Sequence, residues 1–274
     1  MPTAAHSTVV YSIDSGIARV EIDRAEKLNS LTREVFEDLV EAGLAVKDAT
    51  EVRAVVLSGR GRAFSAGLDF TEMARIAEAG VATGSSENAV DVGSRLGSAR
   101  ALAQKAVHVW SLVEVPVIAA IRGAALGGGM QIALGADMRI AGHDAQLSLM
   151  EIKWGIIPDM CGTQLLPRLV GPAMAKKLIV TGDAVDAATA ERIGLVEELA
   201  EDPVARALEL AAQIAGRSRS ALVWSKRLVD LSYDAEFSVG LGAEQEALAS
   251  LLGTAEQKAV VAERLAAMRA RSKG

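Results

Sequence analysis

Three segments of this 274-residue chain hold residue types whose spacing could do chemistry. The first is Gly123-Ala-Ala-Leu-Gly-Gly-Gly129, which follows an apolar run and precedes a helical pattern read over Met130–Ala136. A strand, a glycine turn and a helix start leave bare N–H groups at the turn, and glycine lets an anionic oxygen come close to them. The second is Gly59-Arg-Gly-Arg-Ala-Phe-Ser-Ala-Gly-Leu-Asp69, again glycines after a strand, with a helix start at about Asp69. Two such turns could aim two N–H donors at one oxygen, the geometry that acyl chemistry needs. The third, Glu151-Ile-Lys-Trp-Gly-Ile-Ile-Pro-Asp159, sets two carboxylates among apolar neighbours. Carboxyls beside apolar walls have raised pKa values and can exchange protons near neutral pH. The structural alternative is that Glu151 pairs with Arg139 or Lys153 while Asp159 caps a helix starting at Met160.

Other glycine and nucleophile signatures do not fit. The chain has no G-x-x-x-x-G-K-[ST], the triplet opens no G-x-G-x-x-G, and alanine stands where a nucleophile elbow around Ser65 requires its first glycine. One cysteine, Cys161, allows no disulfide framework, and His6, His108 and His143 show no metal-ligand spacing.

The elements that must position these segments follow from periodicity. Val9–Ile13 and Ile17–Ile22 flank Asp14-Ser15-Gly16 and predict a hairpin. Arg53–Ser58 and Val115–Ile121 are nearly continuous apolar runs, as expected of strands buried on both faces. Met138–Ala141 and Gln146–Leu149 predict two more short strands. Thr32 caps a helix over Thr32–Lys47 with Val35, Leu39, Leu44 and Val46 on its apolar face. From Asp202-Pro203 only helices are predicted, over Val204–Ala215, Ser220–Leu231 and Ala243–Leu252, then one capped by Thr254 with Gln257. The Ala-, Gly- and Ser-rich stretch Ala77–Ser98 reads as a loop bordering a site. An α/β core over residues 1–201 and a helical region over 202–274 result.

Bulk properties narrow the function classes. A net charge of −6 and 3% aromatic residues give no footprint for nucleic acid or anionic lipid. The run Gly123–Ala136, between Arg122 and Asp137, is shorter than the roughly 18 residues a membrane helix requires. The first residues lack a basic stretch followed by an apolar run, so a cytoplasmic protein is expected.

Taken in order, these motifs resemble the enoyl-CoA hydratase/isomerase (crotonase) superfamily over nearly the whole chain. The resemblance rests on Asp23-Arg-Ala-Glu-Lys-Leu-Asn-Ser-Leu31, Ala63-Phe-Ser-Ala-Gly-Leu-Asp69 and Pro116 through Gly129. Gly162-Thr-Gln-Leu-Leu-Pro-Arg168 and Thr181-Gly182 through Gly194-Leu-Val196 complete it. It implies a spiral of ββα units with a C-terminal helical region that builds homotrimers or hexamers, and acyl-CoA substrates with no separate cofactor. It also implies an oxyanion hole from the N–H groups of Leu68 and Gly128. Arg24, Lys27, Arg62 and Ala66 would then lie toward the coenzyme A moiety, with Trp154 walling the acyl pocket. Typical hydratases of the superfamily use two glutamates; here the first of those positions is Gln131 and the second is Glu151. Asp159 falls where dienoyl-CoA isomerases place an aspartate. Double-bond isomerisation by Glu151 and Asp159 is therefore expected first. Hydration by Glu151 with Gln131 orienting water comes second, and non-catalytic acyl-CoA binding is the alternative outside enzymes.

Overall fold

The computed structural model describes residues 8–79 and 99–271. A hairpin of β1 (Val9–Asp14) and β2 (Ile17–Ile22) leads through α1 (Arg33–Asp48) to β3 (Ala54–Gly59). Helices α2 (Phe70–Ala79) and α3 (Leu102–His108) precede β4 (Val117–Ile121). After β4 come the short strand β5 (Ala124–Leu126), helix α4 (Gly128–Leu134), β6 (Met138–Gly142) and β7 (Gln146–Ser148). Helix α5 (Gly162–Thr181), β8 (Val185–Asp186), α6 (Ala187–Arg192) and β9 (Glu198–Ala200) complete the spiral. Four helices follow: α7 (Pro203–Ala215), α8 (Arg219–Leu231), α9 (Phe237–Leu251) and α10 (Ala255–Arg271). From residue 80 onward, the loop read over Ala77–Ser98 lies outside the described residues; Ala77 belongs to α2.

Two sheets make the spiral. The main sheet has the order β1-β2-β3-β4-β6-β9, parallel from β2 onward, and the small one has the order β5-β7-β8. Every residue of β3 and β4 is buried, and the side chains sort by strand alternation. Val55, Leu57, Val117, Ala119 and Ile121 face α1 and α3, joining Leu39, Val107 and Trp110. Ala54, Val56, Ile118 and Ala120 face the other way, against Ala207 and Ala211 of α7. Two covered faces explain why these strands read as continuous apolar runs rather than alternating ones.

Within the predicted helical region 202–274, α7 therefore lies on the central sheet. Asp202 caps it, accepting from the N–H groups of Val204 and Ala205 at 3.0 and 3.1 Å. Farther on, the chain leaves large apolar side chains uncovered, among them Phe237, Leu252, Leu265 and Met268. Helix α9 starts at Phe237 rather than near Ala243 and runs through Gly240 and Gly242. Each glycine weakens a helix by about 1 kcal/mol, which packing on α8 offsets.

One side chain ties the first half of the spiral together. Asn29 is fully buried and left-handed, with φ 54°. Its amide nitrogen donates to the carbonyls of Arg60 and Ala63 at 2.9 and 2.7 Å, and its side-chain oxygen accepts from the Arg24 N–H at 2.9 Å. Its own carbonyl accepts from the Ser65 hydroxyl at 2.8 Å. Asn29→Ala is expected to lower stability by about 2–4 kcal/mol, because it removes three hydrogen bonds, one buried and two part-buried, and strands their partners. Urea unfolding checks this.

Candidate functional site

The two glycine turns lie side by side. The Ser65 N–H donates to the Ala124 carbonyl at 2.9 Å, and the Leu126 N–H donates to the Ser65 carbonyl at 3.0 Å. A second pairing, between Leu31 and Leu68, holds the other edge: the Leu31 N–H bonds Gly67 at 2.8 Å and the Asp69 N–H bonds Leu31 at 2.9 Å. This closeness needs bare backbone. A Cβ on Gly67, where φ is +89°, would sit 2.6 Å from the Leu126 carbonyl oxygen and 3.8 Å from the Gly128 nitrogen. One on Gly129 would sit 2.6 Å from the Ser65 carbonyl oxygen.

The turn residues keep backbone donors in reserve. Helix α4 starts at Gly128, so the glycines form its first turn rather than preceding a helix that begins at Met130. The Gly127 N–H is used by the Ser148 carbonyl and the Gln131 N–H by Gly127. Among the described residues, the N–H groups of Leu68 and Gly128 donate to no protein acceptor. Two free donors on adjoining turns, one at a helix amino end, can hold a partly negative oxygen.

Beside them lies a buried acid. Glu151 begins a 3-10 turn ending at Trp154 and is 7% exposed. Its Oε1 accepts from Gln131 Nε2 at 2.6 Å, while its Oε2 is buried with no hydrogen-bond partner. Gln131 is fully buried in α4, and its Oε1 accepts from the N–H groups of Met160 and Gly162 at 2.9 and 3.0 Å. Those two backbone donors decide which end of the amide is oxygen. Burial pushes the Glu151 carboxyl above its ordinary value; its own backbone N–H and then the Gln131 bond oppose this, and the charge of Asp159 adds to it. Asp159 is exposed, yet desolvation by the protein on one side raises its carboxyl too.

The ordinary structural reading of these acids does not hold. Arg139 is buried against Glu197 and the carbonyls of Ala136 and Leu195, not against Glu151. Helix α5 starts at Gly162 after Cys161, with no side-chain cap of its own. Asp159 therefore does not cap a helix at Met160.

The remaining predicted positions fall around this centre unevenly. Trp154 is half exposed, its ring 6.0 Å from that of Phe70 at the start of α2. Lys27 and Arg62 are exposed, and Ala66 donates its N–H to the Leu28 carbonyl at 2.9 Å. Arg24 turns inward: its Nη1 bonds the Ser30 carbonyl and hydroxyl at 2.5 and 3.0 Å and lies 3.4 Å from Asp69. Asp69 is held at about 2 by the hydroxyl and N–H of Thr71, then by Ser30 and Arg24. Sequence reasoning missed Asn29, Ser65 and Phe70. The first two lie inside the quoted motifs, so position in the motif was their available signal. Among the described residues no group of three metal-ligating side chains occurs, and no helix is long and apolar enough to cross a membrane.

A sequence model described as Enoyl-CoA hydratase/isomerase matches residues 12–267. The chain belongs to that family. It is 34% identical over 255 residues, covering 92% of both chains, to the short-chain-enoyl-CoA hydratase of Clostridium acetobutylicum. It is 32% identical over 257 residues, covering 93% of both, to the crotonyl-CoA hydratase of Syntrophomonas wolfei. A crystal structure of enoyl-CoA hydratase from Bacillus anthracis matches with a TM-score of 0.79 at 28% identity, covering 97% of this chain and 96% of that one. The protein is thus an enzyme of the enoyl-CoA hydratase/isomerase family with the crotonase fold.

Two outcomes follow for this family member. Gly67→Ala is expected to store about 1–3 kcal/mol of backbone strain and to lower kcat about 10²-fold by displacing a donor, read by urea unfolding and steady-state kinetics. The raised Glu151 carboxyl favours the folded state fully only below the unfolded value, and that advantage is lost as pH rises through the folded one. Glu151→Gln is therefore expected to gain in Tm over the unaltered protein as pH goes from 4.5 to 8; a constant Tm difference across that range would contradict it.

Proposed function

We propose that the enzyme moves protons on unsaturated acyl-CoA thioesters through an enolate, and that its reaction is double-bond isomerisation. The thioester oxygen would lie between the N–H groups of Leu68 and Gly128. Their donation lowers the pKa of the adjacent carbon acid and stabilises the enolate oxygen as charge develops there. One carboxylate takes a proton from carbon, the C–H electrons move into the conjugated system, and a proton is returned at another carbon of the chain. Glu151 and Asp159 are the two groups for these steps. Coenzyme A arrives as part of the substrate, with the backbone around Lys27 and Ala66 toward its adenine and exposed Arg62 toward its phosphates. The uncovered apolar side chains of α9 and α10 support a homotrimer or hexamer.

The observation that carries isomerisation is the state of Gln131. Its oxygen is occupied by two backbone N–H groups and its nitrogen is bonded directly to Glu151. It therefore offers water no acceptor, whereas Asp159 supplies a second carboxyl with a raised pKa. The names of the relatives support a second reading, hydration of a 2-enoyl-CoA with Glu151 as the base.

Incubation with a 2-enoyl-CoA and a 3,5-dienoyl-CoA, scored for water addition and for double-bond position, separates the two. Isomerisation of the dienoyl substrate, lost in Asp159→Asn without loss of folding, is expected. Hydration of the first substrate with no shift in the second would establish the hydratase.

A further inference from the structure

We propose that Gln131 is a positioning residue that couples the amino end of α5 to the base Glu151, fixing which carboxylate oxygen reacts and the pH at which it becomes available. The inference rests on Glu151 acting as a base, which both readings of the reaction share.

The geometry is a three-part chain. Helix α5 has no side-chain cap of its own, and its first N–H groups carry the positive end of the helix dipole. Gln131, reaching across from α4, supplies the missing acceptor, with its Oε1 on the N–H groups of Met160 and Gly162 at 2.9 and 3.0 Å. Two donors on the amide oxygen polarise the amide and strengthen its N–H as a donor. That N–H meets Glu151 Oε1 at 2.6 Å, inside a buried pair. Oε1 is thereby engaged and Oε2 is left without a partner. An amide suits this place because it accepts at one end and donates at the other. A carboxylate would keep the acceptor end but set two like charges face to face.

The groups around Glu151 allow Gln131 this influence. Helix α4 contributes no charged residue to it, and the 3-10 turn adds Lys153, which lies along Gly182 instead. From the start of α5 come Cys161 and, before it, Asp159, whose charge raises Glu151. Among the described residues Glu151 forms no ion pair. Beside the backbone N–H of Glu151 itself, the Gln131 bond is therefore the side-chain contact that favours the ionised acid.

The test is the pH profile of kcat for the full-length enzyme, on whichever unsaturated acyl-CoA it turns over. Gln131→Met keeps the volume but loses both ends of the amide. Its acid limb is expected to rise by about one to two pH units, the worth of a hydrogen bond to a charged group, with KM little changed. Gln131→Glu keeps the bonds to Met160 and Gly162, which protects folding, and its limb is also expected to rise because two facing carboxylates share a proton. A limb that stays put in both variants while kcat falls equally at every pH would reduce Gln131 to packing and overturn the proposal. Glu151→Gln is the separate control. If it leaves turnover and the limb unchanged, the shared base assignment fails, whereas its loss of activity beside unmoved limbs in the Gln131 variants rejects only the coupling.

Discussion

Backbone packed directly against backbone, between Ala63–Leu68 and Ala124–Gly129, is the contact on which the candidate site depends. Ser65 exchanges hydrogen bonds with Ala124 and Leu126 while Gly67 and Gly129 leave no room for a side chain between the turns. Such closeness brings the unbonded N–H groups of Leu68 and Gly128, from distant parts of the sequence, onto adjoining turns. It also transmits a demand backward: β3 and β4 must deliver the turns in register, which requires a parallel sheet covered on both faces. Alternation in those strands meets that demand, sending one set of side chains to α1 and α3 and the other to α7.

A second constraint is electrostatic. Burying a carboxyl without a cation is costly unless it stays neutral or finds hydrogen bonds. Glu151 has one, from Gln131, and one unpaired oxygen. The result is a buried acid whose carboxyl lies above its ordinary value, so it holds its proton to higher pH than an exposed glutamate does. The same amide that bonds Glu151 also accepts from the N–H groups at the start of α5, so the cost of the site and the cost of a helix start are met by one side chain.

The braces farther out are less visible but serve the same placement. Asn29 fastens the loop from Arg60 to Ser65, and Arg24, Ser30 and Thr71 converge on Asp69, next to Leu68. Arg24, an arginine in a motif expected to meet phosphates, is thus drawn into the support of the turn.

By itself the sequence determined what is local. The hairpin, the Thr32 and Asp202 caps and the doubly buried strands follow from period, capping chemistry and turn residues, which act within a few positions. The ordered motifs were enough to imply the family and to single out Leu68, Gly128, Gln131, Glu151 and Asp159. Only the tertiary structure decided who meets whom. Spacing allowed Glu151 to pair with Arg139, but Arg139 is taken by Glu197, and Gln131, distant in sequence, takes its place. Pairing across a spiral depends on how successive turns of the chain stack, a property no local pattern encodes. For that reason the glycine turns and Gln131 could be singled out from sequence, while the bond between Gln131 and Glu151 could not.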